Sequence, residues 1–164
     1  MNCIFENNFK NKIMKTKLIF LFAILLLQQN WAQESATYDE KLATELGADE
    51  YGMKIYVFCI LKTGSNTTAT DQEKKLLFEG HMKNITKLAN ENKLVVAGPF
   101  MKNDKNYRGI FIFNCSTIEE AQELVNSDPA VKENLFEAEL TLWYGSASLI
   151  KVKEFHDKIA KNKF

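Results

Sequence analysis

Residues 79–100 read EGHMKNITKLANENKLVVAGPF, and this stretch decides how the chain folds. Its first half continues an apolar stripe with helical spacing, and His81 occupies a position of that stripe which should face the core. Its second half holds a short apolar run, 94–97, that ends at Gly98-Pro99, which is typical of a strand followed by a turn. The sequence therefore predicts a helix joined to a strand, with a titratable side chain on the buried side of the helix.

The elements on either side of this stretch follow the same two periodicities. Predicted strands cover residues 54–61 (KIYVFCIL), 94–97 (LVVA), 107–115 (YRGIFIFNC) and 137–144 (EAELTLWY). Two helices fill the gaps, and each begins at a capping box, Thr70 with Glu73 and Ser116 with Glu119. The order β-α-β-β-α-β predicts an α+β fold of the ferredoxin-like kind with an antiparallel sheet.

Both faces of the predicted sheet are apolar. In the first strand, Val57 and Cys59 point to one side, while Phe58 and Ile60 point to the other. Two helices can cover only one face of such a sheet, so the other face needs a second layer. We expect a second copy of the chain, packed sheet to sheet in a homodimer, although the helically spaced tail at 146–164 is an alternative cover and the two can share the face.

The first 32 residues are typical of a secretory signal peptide. Lys15 and Lys17 precede ten apolar residues, 18–27, a run too short to span a bilayer as a helix. Met14 is an alternative start for such a peptide. We therefore expect an exported protein, in the periplasm or outside the cell, with no stable membrane anchoring after the signal is cleaved.

Three parts follow the signal peptide: an arm over 33–53, one domain over 54–145, and a Lys-rich tail over 146–164 that we expect to be helical. The charge of the chain changes once the signal peptide is removed. Residues 1–32 hold four of the 21 basic side chains and one of the 21 acidic ones. The rest of the chain therefore carries a net charge of about −3. Such an acidic, unclustered surface argues against nucleic acid as a partner. The sequence shows neither metal-ligand spacing nor a glycine-rich phosphate loop, so we expect no metal and no cofactor.

Two cysteines remain in this exported part, Cys59 and Cys115. Export makes a disulfide between them possible, and their positions in predicted strands equally suit small buried core residues. The spacing alone does not give their separation in space.

Several motifs in order carry a family resemblance. They are Glu79-Gly80-His81-Met82, residues 92–100 (NKLVVAGPF), Tyr107-Arg108-Gly109-Ile110, Glu119-Glu120-Ala121 and Ser127-Asp128-Pro129. Over residues 54–145 the chain resembles the YCII-related (YciI-like) family. The resemblance implies a dimeric α/β barrel of ferredoxin-like subunits, with a His-Asp dyad that falls on His81 and Asp128. It also implies lyase-like or isomerase-like chemistry, since a family member is a dehydrochlorinase of aromatic degradation and muconolactone isomerase-like enzymes share the fold.

The chain departs from that family pattern at two positions. Many members carry an aromatic residue where this chain has Ala130, and a glycine where it has Asn134. Asparagine can adopt the left-handed conformation that glycine supplies, so we expect the turn at Asn134 to be kept. The missing aromatic at Ala130 leaves the identity of the substrate, and the activity itself, open.

A carboxylate bonded to one imidazole nitrogen fixes the tautomer and raises the basicity of the other nitrogen. His81 would then remove a proton beside a carbonyl or from a phenol-like hydroxyl. Asp128 before Pro129 is also a good helix N-cap, and that role alone accounts for its place in the sequence. The residues predicted to line a pocket for a small planar organic ligand are Phe58, Gly98, Pro99, Phe100, Tyr107 and Trp143.

Three hypotheses about function follow. The chain is a small enzyme that uses His81 and Asp128 for general acid/base catalysis, a non-catalytic module that binds a small ligand in the same pocket, or an accessory dimer with a vestigial pocket. A hydrogen-bonded histidine with a purely structural role in the core is typical of the third.

Overall fold

The structure is a computed structural model that describes residues 37–162, so the predicted signal peptide lies outside it. From Glu40 onward the chain forms one compact unit. Its elements are α1 (Glu40–Leu46), β1 (Met53–Thr63), α2 (Asp71–Asn90), β2 (Leu94–Pro99), β3 (Tyr107–Phe113), α3 (Ile118–Asn126), α4 (Pro129–Lys132), β4 (Phe136–Ser146), a 3₁₀ turn (Ala147–Lys151) and α5 (Val152–Ile159). None of the helices between residues 37 and 162 has the length and apolar character needed to cross a membrane.

The four strands form one sheet in the order β2-β3-β1-β4, and every neighbouring pair is antiparallel. β1 lies in the middle and pairs with β4 along its whole length, from Met53 opposite Ser146 to Thr63 opposite Phe136. This arrangement confirms the predicted α+β, ferredoxin-like fold. It also leaves β2, the strand that follows the His81 helix, at one edge of the sheet.

The main core lies on the face of the sheet that the helices cover. Val57, Cys59 and Leu61 alternate along β1 and are at most 2% exposed. Leu88 of α2 and Val125 of α3 belong to the same buried cluster. Because side chains alternate across a strand, this packing shows which set of alternate β1 side chains faces the helices.

Helix caps fix where α2 and α3 begin. The predicted box at α2 is confirmed, since the Thr70 hydroxyl accepts from the Glu73 N–H (3.3 Å) and the Glu73 carboxylate accepts from the Thr70 N–H (2.7 Å). The prediction of Ser116 as the second cap was one residue early, because the Thr117 side chain caps α3. The cap at Thr117 makes Ile118 the first helical residue, where it packs against the core.

The second apolar face is covered in part by the chain itself. Tyr56 and Ile112 on this face are buried, and the 3₁₀ turn after β4 contacts both β1 and β2. The Tyr56 hydroxyl donates to the carbonyl of Ser146 (3.1 Å), which ties this turn to the sheet. Phe58 and Ile60, further along β1, are only half-buried. The tail therefore covers one end of the face, and a second copy over the remainder stays a prediction.

The two cysteines are free thiols in the core. Cys59 lies opposite Phe111, while Cys115 follows the end of β3, two residues beyond the Phe113–Val57 pair. The two are therefore offset by four residues along the strands, or about 13 Å. That offset is more than twice the usual Cα separation in a disulfide, so the disulfide alternative is wrong and both cysteines are small core residues.

The turn between α4 and β4 keeps the conformation that glycine would give. Asn134 has a φ of 55°, in the left-handed region, which confirms the expectation from its side chain. Its carbonyl accepts from the N–H of Asn66 (3.0 Å), so the turn is fastened to the loop before α2. The segment that carries Asp128 is thereby anchored at its far end.

Candidate functional site

His81 lies on the buried side of α2, on the stripe that also buries Leu88, and only 7% of its surface is exposed. Three phenylalanine rings surround the imidazole. The centroid distances are 5.6 Å to Phe78, 5.8 Å to Phe111 and 5.2 Å to Phe136, the last in an edge-on arrangement. These rings keep bulk water from most of the imidazole and hold its plane in place.

Asp128 lies at the start of α4 and is fully buried. Its Oδ1 accepts from the Ala130 N–H (2.9 Å), so it is the N-cap of α4 as its position before Pro129 predicts. Its Oδ2 lies 2.5 Å from Nδ1 of His81. Because an ionised carboxylate can only accept, this contact assigns the proton to Nδ1. Both oxygens are satisfied, which makes the burial of a carboxylate tolerable.

The other imidazole nitrogen, Nε2, must reach accessible space. The imidazole of His81 forms no hydrogen bond other than the one at Nδ1 among residues 37–162. Within the same range, no buried side-chain nitrogen or oxygen lacks a hydrogen-bond partner. Nε2 is therefore not sealed in the core, and His81 lines the large cavity described below. The geometry gives an imidazole with one nitrogen held by a carboxylate and the other turned to a cavity.

Three neighbouring contacts hold α2 against the segment around Asp128. Besides the His81 pair, the Ser127 hydroxyl lies 3.1 Å from Oδ1 of Asn84, one turn further along α2. On the other side, Gly80 faces the ring of Pro129, and a Cβ built on Gly80 would lie 2.9 Å from Pro129 Cγ. The glycine before the histidine is therefore required by close packing, and it allows His81 and Asp128 to meet.

A cavity of about 1100 Å³ is lined by residues of α2, of the β2–β3 edge of the sheet and of α5. Four of the predicted pocket residues line it, namely Gly98, Pro99, Phe100 and Tyr107, together with His81. The rings of Phe100 and Tyr107 are neighbours, with centroids 5.6 Å apart. The cavity is on the large side for a small-molecule site.

Phe58 and Trp143 do not line this cavity, so their predicted place in the pocket was wrong. Phe58 alternates with Val57 and Cys59, which face the helices, and it therefore points to the opposite face of the sheet. Trp143 lies opposite Tyr56 on that same face, and its ring is 6.5 Å from the ring of Phe58. Both belong to the half-covered surface where we predict a second copy.

Ala130 also has a different place from the one expected of a pocket wall. It is fully buried, belongs to the core cluster and is not part of the cavity lining. Ala130 therefore contributes to the core beside Asp128 and gives no side chain to this cavity.

Sequence reasoning missed two groups of lining residues. Phe111 and Phe136 have a local signal, because each alternates to the side of its strand that faces the helices, and Phe78 lies one turn before His81 on α2. The second group belongs to the tail: Val152, Lys153, His156, Asp157 and Ala160. His156 and Asp157 of this group are exposed and border the cavity. No local pattern could place them there, since the contact of α5 with β2 is long-range.

Other chemistries find no support near the pair. Burial raises the pKa of the Cys59 thiol to about 12, and the charge of Asp128 adds to this effect, so Cys59 is held in the unreactive thiol form. Within residues 37–162, no group of three or more His, Cys, Asp or Glu side chains could hold a metal ion. Of the imidazole of His81 and the thiol of Cys59, only the imidazole is thus suited to proton transfer.

The family model of the YCII-related domain matches residues 55–143, more than half of the chain. The chain belongs to the YCII-related domain family. The matched segment of this YCII-related protein contains His81 and Asp128 and stops before α5.

Among solved structures, the chain is similar to the 5-chloro-2-hydroxyhydroquinone dehydrochlorinase of Burkholderia phenoliruptrix AC1100, determined in complex with 2,5-dihydroxybenzoquinone. The identity is 22%, the match covers 53% of this chain and 90% of that one, and the TM-score is 0.37. A comparison with curated proteins gives no match.

We predict that Gly80→Ala destabilises the protein although alanine is the better helix former. The added Cβ would meet the Pro129 ring, and overpacking of this kind costs about 1–3 kcal/mol, against roughly 1 kcal/mol of helix propensity gained. Urea unfolding of Gly80→Ala, Pro129→Ala and the double variant measures the coupling. In the double variant we expect part of the lost stability to return. Strictly additive effects, or a more stable Gly80→Ala protein, would show that the two residues do not press on each other.

Proposed function

We propose that this protein is an exported small-molecule enzyme of the isomerase or lyase kind, in which His81 is the general acid/base and Asp128 orients it. One observation carries the proposal: Nδ1 of His81 lies 2.5 Å from a fully buried carboxylate, while Nε2 faces a cavity. A histidine sealed inside the core would have both nitrogens satisfied by the protein. Here one nitrogen is left for a ligand.

The proposed chemistry is a proton transfer at Nε2. The unprotonated Nε2 removes a proton beside a carbonyl or from a phenolic hydroxyl, and the ring becomes an imidazolium. The Asp128 carboxylate stabilises that positive charge through the Nδ1–H bond. Return of the proton to a different atom completes an isomerisation, and departure of a leaving group completes an elimination.

The surroundings of the pair suit such a step. Phe78, Phe111 and Phe136 limit the access of water to the imidazole, which strengthens its interaction with the carboxylate. Gly98 carries no side chain and lets a flat ligand approach the backbone of β2. The cavity, in turn, has ample volume for a substituted single ring.

We predict that His81→Gln and Asp128→Asn each lower turnover by two to four orders of magnitude, roughly 10²- to 10⁴-fold, while leaving the protein folded. The assay is proton exchange from solvent D₂O into a panel of cyclic ketones, lactones and hydroxylated aromatics, followed by NMR. The panel includes 5-chloro-2-hydroxyhydroquinone, with release of chloride as the readout. Because the two residues act as a unit, the double variant should be no slower than His81→Gln alone.

Thermal unfolding of each variant is the control for folding. Full activity of a folded His81→Gln protein would rule out the proposed role of His81. Ligand binding without any exchange or turnover across the panel would instead favour the non-catalytic binding module that uses the same cavity.

We further propose that the exported chain is a homodimer through the half-covered face of the sheet. Phe58, Ile60 and Ile110 on this face are half-buried and Trp143 is 38% exposed, so an apolar surface remains beside the part that the tail covers. Burial of such a surface is a strong drive for association. Its opposite side, where Leu142 is exposed, provides a matched control position.

One preparation tests both the export and the dimer. The full chain is expressed in a bacterium, and the protein is recovered outside the cytoplasm. Its intact mass should correspond to a chain that begins near Gln33, and its sedimentation equilibrium should give twice that mass. Ile60→Glu should yield a monomer, whereas Leu142→Glu on the other face should stay dimeric. Retention of the uncleaved chain in the cytoplasm would contradict export, and a monomeric wild type would contradict the dimer.

A further inference from the structure

The segment that joins α3 to α4 lies along one face of α2. Three consecutive residues of the segment each contact one residue of the helix. The pairs are Ser127 with Asn84, Asp128 with His81, and Pro129 with Gly80. Helix residues three or four positions apart lie on the same face, so the segment and α2 run side by side in opposite directions. The His81–Asp128 pair is the middle contact of the three.

Each member of the pair is held by contacts that the other does not share. The His81 ring lies against phenylalanine rings of α2 and of the sheet. The Asp128 carboxylate accepts from the N–H of Ala130, within its own segment. Neither set of contacts joins α2 to the segment. The 2.5 Å distance between Nδ1 and Oδ2 therefore depends on what holds these two elements together.

Within residues 37–162, one hydrogen bond besides that of the pair joins α2 to residues 127–129. The Ser127 hydroxyl lies 3.1 Å from Oδ1 of Asn84 and 2.6 Å from the carbonyl of Leu124. Both oxygens are acceptors, so the hydroxyl proton lies within reach of each. Ser127 is also the C-cap of α3. Its hydroxyl therefore bridges α2 and the last turn of α3.

The third contact, between Gly80 and Pro129, limits how closely the segment approaches α2. A van der Waals contact of this kind has little directional preference, whereas a hydrogen bond requires a defined distance and angle. The bond at Ser127 is therefore the contact that keeps the segment from pivoting about the His81–Asp128 bond.

We propose that Asn84 and Ser127 are positioning residues, which keep the segment in register with α2 so that Asp128 holds the proton on Nδ1 of His81. This role rests on the proposed function, because it adds two residues to that same site. When the segment shifts, the Nδ1–H bond to the carboxylate lengthens, and the neutral ring can carry its proton on Nε2 instead. A ring in that tautomer presents a donor to the cavity, where the proposed reaction requires a base.

The location of the two residues allows positioning to be separated from folding. Ser127 is exposed and Asn84 is half-buried, so removal of either polar group leaves the other within reach of water. The variants should therefore fold. Thr117 offers a matched control, because its side chain caps the opposite end of α3 and accepts from the Glu120 N–H (3.3 Å). Loss of that cap lowers stability without a change at the segment.

The test is NMR of the Nδ1 proton of His81 in ¹⁵N-labelled protein. We expect Asn84→Ala and Ser127→Ala each to speed the exchange of this proton with solvent by roughly threefold to tenfold, as the loss of one hydrogen bond would. The double variant should be no faster than either single one, because both changes remove the same bond. Ser127→Thr keeps the hydroxyl and should restore the wild-type rate. Thr117→Ala should leave the rate unchanged although it lowers the melting temperature.

An exchange rate that Asn84→Ala and Ser127→Ala leave unchanged, or one that Thr117→Ala raises equally, would overturn the positioning role. These readouts do not depend on turnover. Faster exchange in both alanine variants of a protein that turns over no substrate would leave the positioning role standing and remove the proposed catalysis.

Kinetics give a second readout on any substrate that the protein turns over. Both alanine variants should lower kcat by about tenfold and leave KM within about twofold, because a displaced base slows the proton transfer without altering the cavity walls. A rise in KM with kcat unchanged would contradict the positioning role, even where His81→Gln confirms the base.

Discussion

The fully buried carboxylate of Asp128 is the constraint on which the site depends. A buried charge is tolerated only when hydrogen bonds compensate it, and the Ala130 N–H and the His81 ring meet that requirement together. The bond to the Ala130 N–H fixes the start of α4 at Asp128. The bond to His81 fixes the position of α2 beside it. Removal of one partner of a buried pair typically costs about 3–5 kcal/mol, so the pair belongs to the fold as much as to the chemistry. The missing Cβ at Gly80 is what allows the two segments to come this close.

Much of the fold could be predicted because local patterns carry it. The strands follow from alternation, the start of α2 from the Thr70 box, and the left-handed turn from Asn134. Which face of the sheet the helices cover could not be predicted in the same way. Both faces of β1 are apolar, so the sequence does not say which half the helices cover, and Phe58 and Trp143 were given to the wrong side. The choice is made by packing against Leu88 and Val125.

The site shows the same division between local and long-range information. The family resemblance brought His81 and Asp128 together from positions 47 residues apart, and the structure places them in contact. The α5 residues that line the cavity lie outside the matched segment, and the contact of α5 with β2 spans more than 50 residues of sequence. A pattern confined to neighbouring residues cannot report such a contact. The matched domain thus contains the His81–Asp128 pair, and the tail beyond it contributes residues to the lining of the cavity.

The central claim is that a buried carboxylate holds Nδ1–H of His81 while Nε2 stays open to the cavity. The most direct measurement is NMR of the imidazole nitrogens of His81 in ¹⁵N-labelled protein, at a pH where the ring is neutral. We expect a protonated Nδ1 and an unprotonated Nε2, with the preference lost in Asp128→Asn. A neutral ring that carries its proton on Nε2, or a tautomer that Asp128→Asn leaves unchanged, would contradict the role given to this pair.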